Sequence, residues 1–180
     1  YKRQLLHMLQ VADLTGHERI LDAGCGAGHT ALAFAPHVAE VVAMDLSSSM
    51  LAEVQKLADE RGTKNVKLKQ GDVENIPFAD GEFDIIVSRY SAHHWPDPQR
   101  ALREISRVLR SNNDRRGQFI LADIVSSDVF TVDTYIQAIE VLRDPSHVRD
   151  HTVSQWLAML SGAGFGGERV FEWDVWLDWS

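Results

Sequence analysis

Asp22-Ala23-Gly24-Cys25-Gly26-Ala27-Gly28 places glycines at alternate positions directly after the apolar pair Ile20-Leu21. Glycine adopts positive φ without penalty and lets the backbone approach a ligand closely. A helix starting near Gly28 points its unpaired N–H groups toward that ligand, which makes an anion site. The spacing is G-x-G-x-G, not the G-x-G-x-x-G of a dinucleotide fingerprint. It is not a phosphate loop either, because no Gly-Lys-Ser/Thr follows. A plain tight turn has the same composition, so position has to decide. In open α/β sheets, ligands bind beyond the carboxyl ends of strands. Two acids stand where further strands end. Asp45 closes VAEVVAMD, 21 residues after Gly24, and Gly71-Asp72 closes VKLKQ, 27 residues after Asp45. A carboxylate at the first place accepts from ribose hydroxyls, and one at the second from an adenine amino group. Each acid alone reads more commonly as a solvated strand end; three signals on successive strand ends are much harder to dismiss.

The elements that must position these residues alternate in type. Helical spacing of Leu5, Leu6, Leu9 and Ala12 predicts a helix over 2–13. Short apolar or β-branched runs predict strands at 18–23, 38–45, 66–70, 83–88, 119–125 and 168–176. Helices are expected at 28–36, from Ser47 as N-cap to Arg61, from Asp97-Pro98 to Arg110, over 134–143, and from the Thr152/Gln155 capping box to Gly162–Gly164. This alternation implies βαβ crossovers. The expected fold is α/β: a Rossmann-like, doubly wound, mostly parallel sheet with helices on both faces.

Composition narrows the function classes. Apolar residues make up 44% of the 180, enough for a packed core and incompatible with disorder. Lys and Arg number 18 against 26 Asp and Glu, a net charge of -8, which argues against a strongly basic nucleic-acid binder and is compatible with a cationic small molecule. The single cysteine, Cys25, excludes an intrachain disulfide and a multi-cysteine zinc site, and suggests a reducing, cytoplasmic setting. No apolar run approaches a membrane span, and no signal peptide is read. The first residue is Tyr1, so the chain is expected to start inside a longer protein.

LDAGCGAGHT (21–30), VVAMDLSSSML (41–51), QGDVENIPFADGEFDIIVSRYSAHHW (70–95) and DPQRALREISRVLR (97–110) together resemble the class I S-adenosylmethionine-dependent methyltransferases. Within them the chain is most similar to the small-molecule branch that includes ubiquinone/menaquinone biosynthesis enzymes and sugar O-methyltransferases. The run DPSHVRDHTVSQWLAMLSGAGF (144–165) resembles the same branch. The resemblance implies S-adenosyl-L-methionine as cofactor and a small-molecule acceptor methylated on oxygen or carbon. It implies that Asp22, Ala23, Gly24, Cys25, Gly26 and Gly28 pack the methionine portion. It places Asp45 on the ribose, Leu46 and Met50 beside the adenine, and Gly71, Asp72 and Val73 at the adenine edge. Arg89 and Tyr90 then line the methyl end.

At that end stands His93-His94-Trp95-Pro96. Imidazole titrates near neutrality and suits proton removal from a hydroxyl acceptor. His94 or His93 is the candidate base, with Asp123 to orient the ring; a role in shaping the pocket is the alternative. No metal site is read. Neighbouring histidines on extended chain point apart, and no third ligand has a helpful spacing. Cys25 reads as close packing. Trp156, Trp173, Trp176 and Trp179 read as sheet packing or an uncovered interface, with substrate stacking as the alternative.

The chain departs from the family's pattern in two places. The polar loop Ser111–Gly117 stands where relatives have a tight Pro-Gly-Gly turn. Six strands are counted where the fold has seven, the last antiparallel, and the segment that covers the cofactor before the first helix is short or missing. Residues 1–180 therefore read as one methyltransferase domain truncated at both ends. Two rival readings stand beside it: a methyltransferase-like cofactor-binding domain without turnover, and a dinucleotide-dependent oxidoreductase.

Overall fold

The structure, a computed structural model, describes residues 2–111 and 117–173. Five parallel strands form one sheet in the order β3-β2-β1-β4-β5: β1 Arg19–Ala23, β2 Glu40–Asp45, β3 Val66–Gln70, β4 Ile85–Arg89 and β5 Gln118–Ala122. The order reverses at β1. β1 is followed in space by β2 on one side and β4 on the other, so their carboxyl ends open a crevice at that point.

Among the described residues, six helices cover the faces: α1 Lys2–Val11, α2 His29–Phe34, α3 Ser48–Glu60, α4 Pro98–Val108, α5 Phe130–Arg143 and α6 Val153–Gly162. Side chains alternate across the pleat, and the core divides accordingly. Ile20, Val41, Ala43, Ile85 and Val87 pack with Met8, Phe34 and Val54 on the face of α1, α2 and α3. Leu21, Val42, Met44 and Ile86 pack with Leu102, Ile105 and Trp156 on the face of α4 and α6. The three central strands are buried on both faces, as a parallel sheet between two helical layers must be.

The caps follow the local chemistry. Ser47 Oγ accepts from Met50 N–H, Asp97 accepts from Arg100 N–H ahead of Pro98, and Thr152 with Gln155 forms the expected capping box. Some boundaries differ. α5 starts four residues earlier than its spacing suggests, at Phe130, and Ala35–His37 forms a 3-10 turn after α2. The sixth strand is a correction: residues 168–173 carry no strand pairing, and 174–176 lie outside the described residues. Residues 112–116 of the polar loop, Trp176 and Trp179 also lie outside them. Trp156 is a core residue at 6% exposure, and Trp173 meets the edge of the His7 ring at 5.6 Å. Among the described residues, no helix is long and apolar enough to cross a membrane.

Candidate active site

β1, β2 and β3 end side by side, and most of the expected cofactor residues gather there. Asp22 on β1 is 1% exposed; its Oδ2 accepts from the Ala31 N–H at 2.8 Å, holding the start of α2. Its Oδ1 has no hydrogen-bond partner among the described residues. Burial pushes the Asp22 pKa up to about 7, against the Ala31 hydrogen bond and the nearby Arg89 charge, which pull it down.

The turn after Ala23 needs its glycines for different reasons. Gly24 has φ 73°, and a Cβ there would collide with Ser91, within 2.8 Å of its Cβ. Gly28 has φ 79° and presses on Val54, whereas Gly26 faces open space. The N–H groups of Gly24 and Cys25 both donate to Met44 O at 2.9 Å, and Gly26 N–H donates to Asp45 Oδ2 at 2.8 Å. Gly28 N–H donates to Cys25 O at 2.9 Å. The expected anion site lies on the first N–H groups of α2, of which Ala31 N–H is already taken by Asp22. Carbonyls and carboxylates of the chain itself take the amides of the turn, and two acids, Asp22 and Asp45, frame it. The Cys25 thiol is buried, and burial, with the charges of Asp22 and Asp45, pushes its pKa up and suppresses the thiolate.

Asp45 is half-buried; its Oδ1 accepts from Ser47 N–H at 2.9 Å, so its carboxylate is fixed from both sides. Next to it Leu46 and Met50 are 65% and 40% exposed, an apolar patch at the mouth of the crevice. Gly71 N–H donates to Asp45 O, which brings Asp72 beside Asp45; Asp72 Oδ1 accepts from Glu74 N–H, and Val73 is buried. Arg89 Nε donates to Thr30 Oγ1 at 3.0 Å, and its guanidinium lies 5.0 Å from the Tyr90 ring centre. Tyr90 holds φ 53°, a conformation rare for a bulky residue, pinned by its N–H to Ala122 O.

The histidine pair follows on a 3-10 turn, Ala92–His94. The turn overturns the expectation that the rings diverge: their centres are 4.1 Å apart. Asp123, one residue past β5, sorts the two. Its Oδ1 meets His93 Nδ1 at 2.6 Å, and its Oδ2 accepts from the Ala92 N–H. His94 Nδ1 instead donates to Ser146 O at 3.0 Å, with Asp144 4.0 Å from its other nitrogen. Burial disfavours the His93 imidazolium, but the hydrogen bond and charge of Asp123 outweigh it and raise the pKa.

Behind His93 lies a group the spacing did not reveal. The His147 ring stacks on His93 at 5.7 Å, and Glu140 and Asp150 stand beside it. Burial, with the His93 and Glu140 charges opposing one another, raises the Asp150 pKa to about 6. His147 and Asp150 sit three apart in DPSHVRD, a spacing that could have marked them; Glu140 comes from α5 and carries no such signal. Ser91, which packs on Gly24, and Thr30, which holds Arg89, were also missed. A cavity of ≈ 850 Å³ lies along β5, between α1, α6 and residues 165–173. It reaches Tyr90 and Asp123 but not the glycine turn, Asp45 or Asp72.

The family described as "Methyltransferase domain" matches residues 21–114, the stretch that carries the glycine turn, both strand-end acids and the histidine pair. The chain belongs to the S-adenosylmethionine-dependent methyltransferases. This methyltransferase chain is 39% identical over 168 residues to "Uncharacterized methyltransferase YcgJ" of Bacillus subtilis, covering 93% of the chain and 65% of that protein. The crystal structure of YcgJ superposes with a TM-score of 0.86 at 40% identity, over 91% of this chain and 68% of that one. A putative methyltransferase from Bacillus halodurans superposes with a TM-score of 0.88 at 38% identity, over 93% of this chain and 71% of the other. "Demethylmenaquinone methyltransferase" of Lactococcus lactis is 34% identical over 106 residues, 57% of this chain and 42% of that protein. The methyltransferase chain thus spans somewhat under two thirds of YcgJ's length.

The residues present fit the family's cofactor. The apolar rim of Leu46 and Met50 suits a purine, and Gly26 faces open space at the turn. The unpartnered, buried Asp22 oxygen suits a cation better than a phosphate.

Proposed function

We propose that the whole protein transfers a methyl group from S-adenosyl-L-methionine to a small-molecule acceptor, on oxygen or carbon. One observation carries the reading. Asp22, the Gly24–Gly28 turn, Asp45 and Asp72 meet at three adjacent strand ends in a chain of the methyltransferase family. The similarity to a demethylmenaquinone methyltransferase supports an aromatic or enolisable acceptor. The net charge of -8 speaks against nucleic acid as acceptor, and the lone, buried cysteine fits a cytoplasmic setting.

Gly24, Gly26 and Gly28 let the backbone approach the methionine portion, with Asp22 and Cys25 beside it. Asp45 holds the ribose, Asp72 and Val73 meet the adenine edge, and Arg89 and Tyr90 close the methyl end. When bound, the cofactor supplies a methyl on a sulfonium whose leaving group is already activated. The chain then mainly has to align and desolvate the acceptor. His93 is the base of choice. With Nδ1–H donated to Asp123, its Nε2 is the basic nitrogen, and the imidazolium formed on taking the acceptor proton is stabilised by the same carboxylate.

Calorimetric titration of the full-length protein tests the class. S-adenosylhomocysteine should bind at one site and NAD should not. Binding of NAD in its place would return the chain to the oxidoreductase reading. A screen of quinols and phenols with a labelled methyl donor tests turnover.

A further inference from the structure

Glu140, His147 and Asp150 are buried, at 7%, 8% and 1% exposure. One ligand atom from each lies within 4.8 Å of the others. They come from two segments, the last turn of α5 and the loop before α6. Both Asp150 oxygens and His147 Nδ1 have no hydrogen-bond partner among the described residues. Three buried polar atoms without partners are costly and call for an occupant.

The surroundings prepare them as ligands. His147 Nε2 lies 3.3 Å from Gln137 Oε1, so the amide accepts the ring proton there and leaves the Nδ1 lone pair facing the cluster. The same Gln137 oxygen accepts from the Asp150 N–H at 3.1 Å. This is the outer-shell pattern that fixes the tautomer of a metal-bound imidazole. Arg143 engages Glu140 Oε2 through Nε at 3.0 Å, which leaves Oε1 for the cluster. Two carboxylates against one arginine leave a net negative site.

We propose that Glu140, His147 and Asp150 bind a divalent first-row metal ion of the Mn²⁺ or Zn²⁺ kind. One imidazole and two carboxylates suit these ions better than a soft, thiolate-seeking one. Three protein ligands leave positions for water. The ion ties α5 to the loop at 147–150, whose Val148 and Arg149 N–H groups both donate to His93 O. The metal is thus a clamp that positions the histidine turn, and it stands or falls apart from the methyl-transfer reading.

Mn²⁺ added to the full-length, chelator-treated protein near pH ~8, where metal ligands are deprotonated, tests the site directly. One Mn²⁺ per chain should bind, with electron-paramagnetic coupling to a directly bonded nitrogen. His147→Gln and Asp150→Asn should each weaken it roughly tenfold or more. Asp144→Asn, an exposed carboxylate nearby, should bind as the parent does. No stoichiometric uptake, or undiminished uptake in Asp150→Asn, overturns the proposal; a proton shared between the two carboxyls gives that result. Should a variant fail to fold, the parent alone still decides. Zn²⁺ should raise its melting temperature and a chelator reverse the rise. An unchanged melting temperature overturns the site.

Discussion

The glycine turn and the histidine cluster lie at two ends of one crevice and are built in opposite ways. At the turn, successive amides are already taken, by Met44 O, Asp45 and Cys25 O, and the conformation is set within 25 residues of sequence. At the cluster, residues 92–94, 123, 137–140 and 146–150 meet from four segments, and buried polar atoms are left over. The first region is a rigid, pre-wired platform. The second is charged and incompletely satisfied without a further occupant. A platform of that kind suits a ligand that is always the same, whereas the cluster is where the proposed base, His93, is held.

The largest expected effect tests the cluster. His93→Ala should lower methyl transfer roughly 100- to 10,000-fold, the usual range for a lost base, with cofactor affinity nearly unchanged. His94→Ala should do far less, because Asp123 holds His93 and not its neighbour. Equal losses in the two variants, measured as kcat with binding by calorimetry, would remove the distinction between them.

The platform is tested by a pair of glycines. Gly24→Ala meets both a positive φ and Ser91, and should cost about 2–4 kcal/mol of stability in denaturant melts. Gly26→Ala meets open space and should cost only about 1 kcal/mol, from backbone strain alone. Matching losses would mean that backbone conformation, not close packing, governs the turn. Asp45→Ala comes next. It should weaken S-adenosylmethionine binding by about 1.5–3 kcal/mol, since charge-assisted hydrogen bonds are lost. It also frees Gly26 N–H and Ser47 N–H, so Asp45→Asn is the gentler control. Unchanged affinity in both would sink the ribose assignment.

The same contrast explains what could be read from the chain. The strands, the helix caps at Ser47, Asp97 and Thr152, and the acids at strand ends are local signals, because spacing and cap chemistry act within a few residues. The partners of the turn's amides were not legible, since sequence shows that N–H groups exist but not that Met44 O and Asp45 accept them. Residues 168–173 alternate like a strand yet pair with none among the described residues, because alternation records a two-faced chain and not a neighbour. The divergence of His93 and His94 was misjudged because a 3-10 turn replaces extended chain there. Glu140 was invisible for a plainer reason: only the tertiary fold brings α5 to the 147–150 loop.

A separate test probes where the platform departs from full satisfaction, at Asp22. Its native pKa of about 7 lies above the ordinary carboxylate value of 3.8, so between those values the folded state holds a proton that the unfolded state has lost. Stability of the ligand-free protein should therefore be highest below about pH 4 as far as this group decides. It should fall as pH rises toward 7, by at most about 1.4 kcal/mol per unit. Arg89 opposes this rise in pKa and Asp45 reinforces it. Asp22→Asn should flatten that slope. A cation bound beside the carboxyl favours its charged form, so S-adenosylmethionine binding near neutrality should release part of a proton. Calorimetry in buffers of different ionisation enthalpy reads that release directly. If none is found, and the slope survives in Asp22→Asn, the buried acid is a structural cap for α2 and not the partner of a sulfonium.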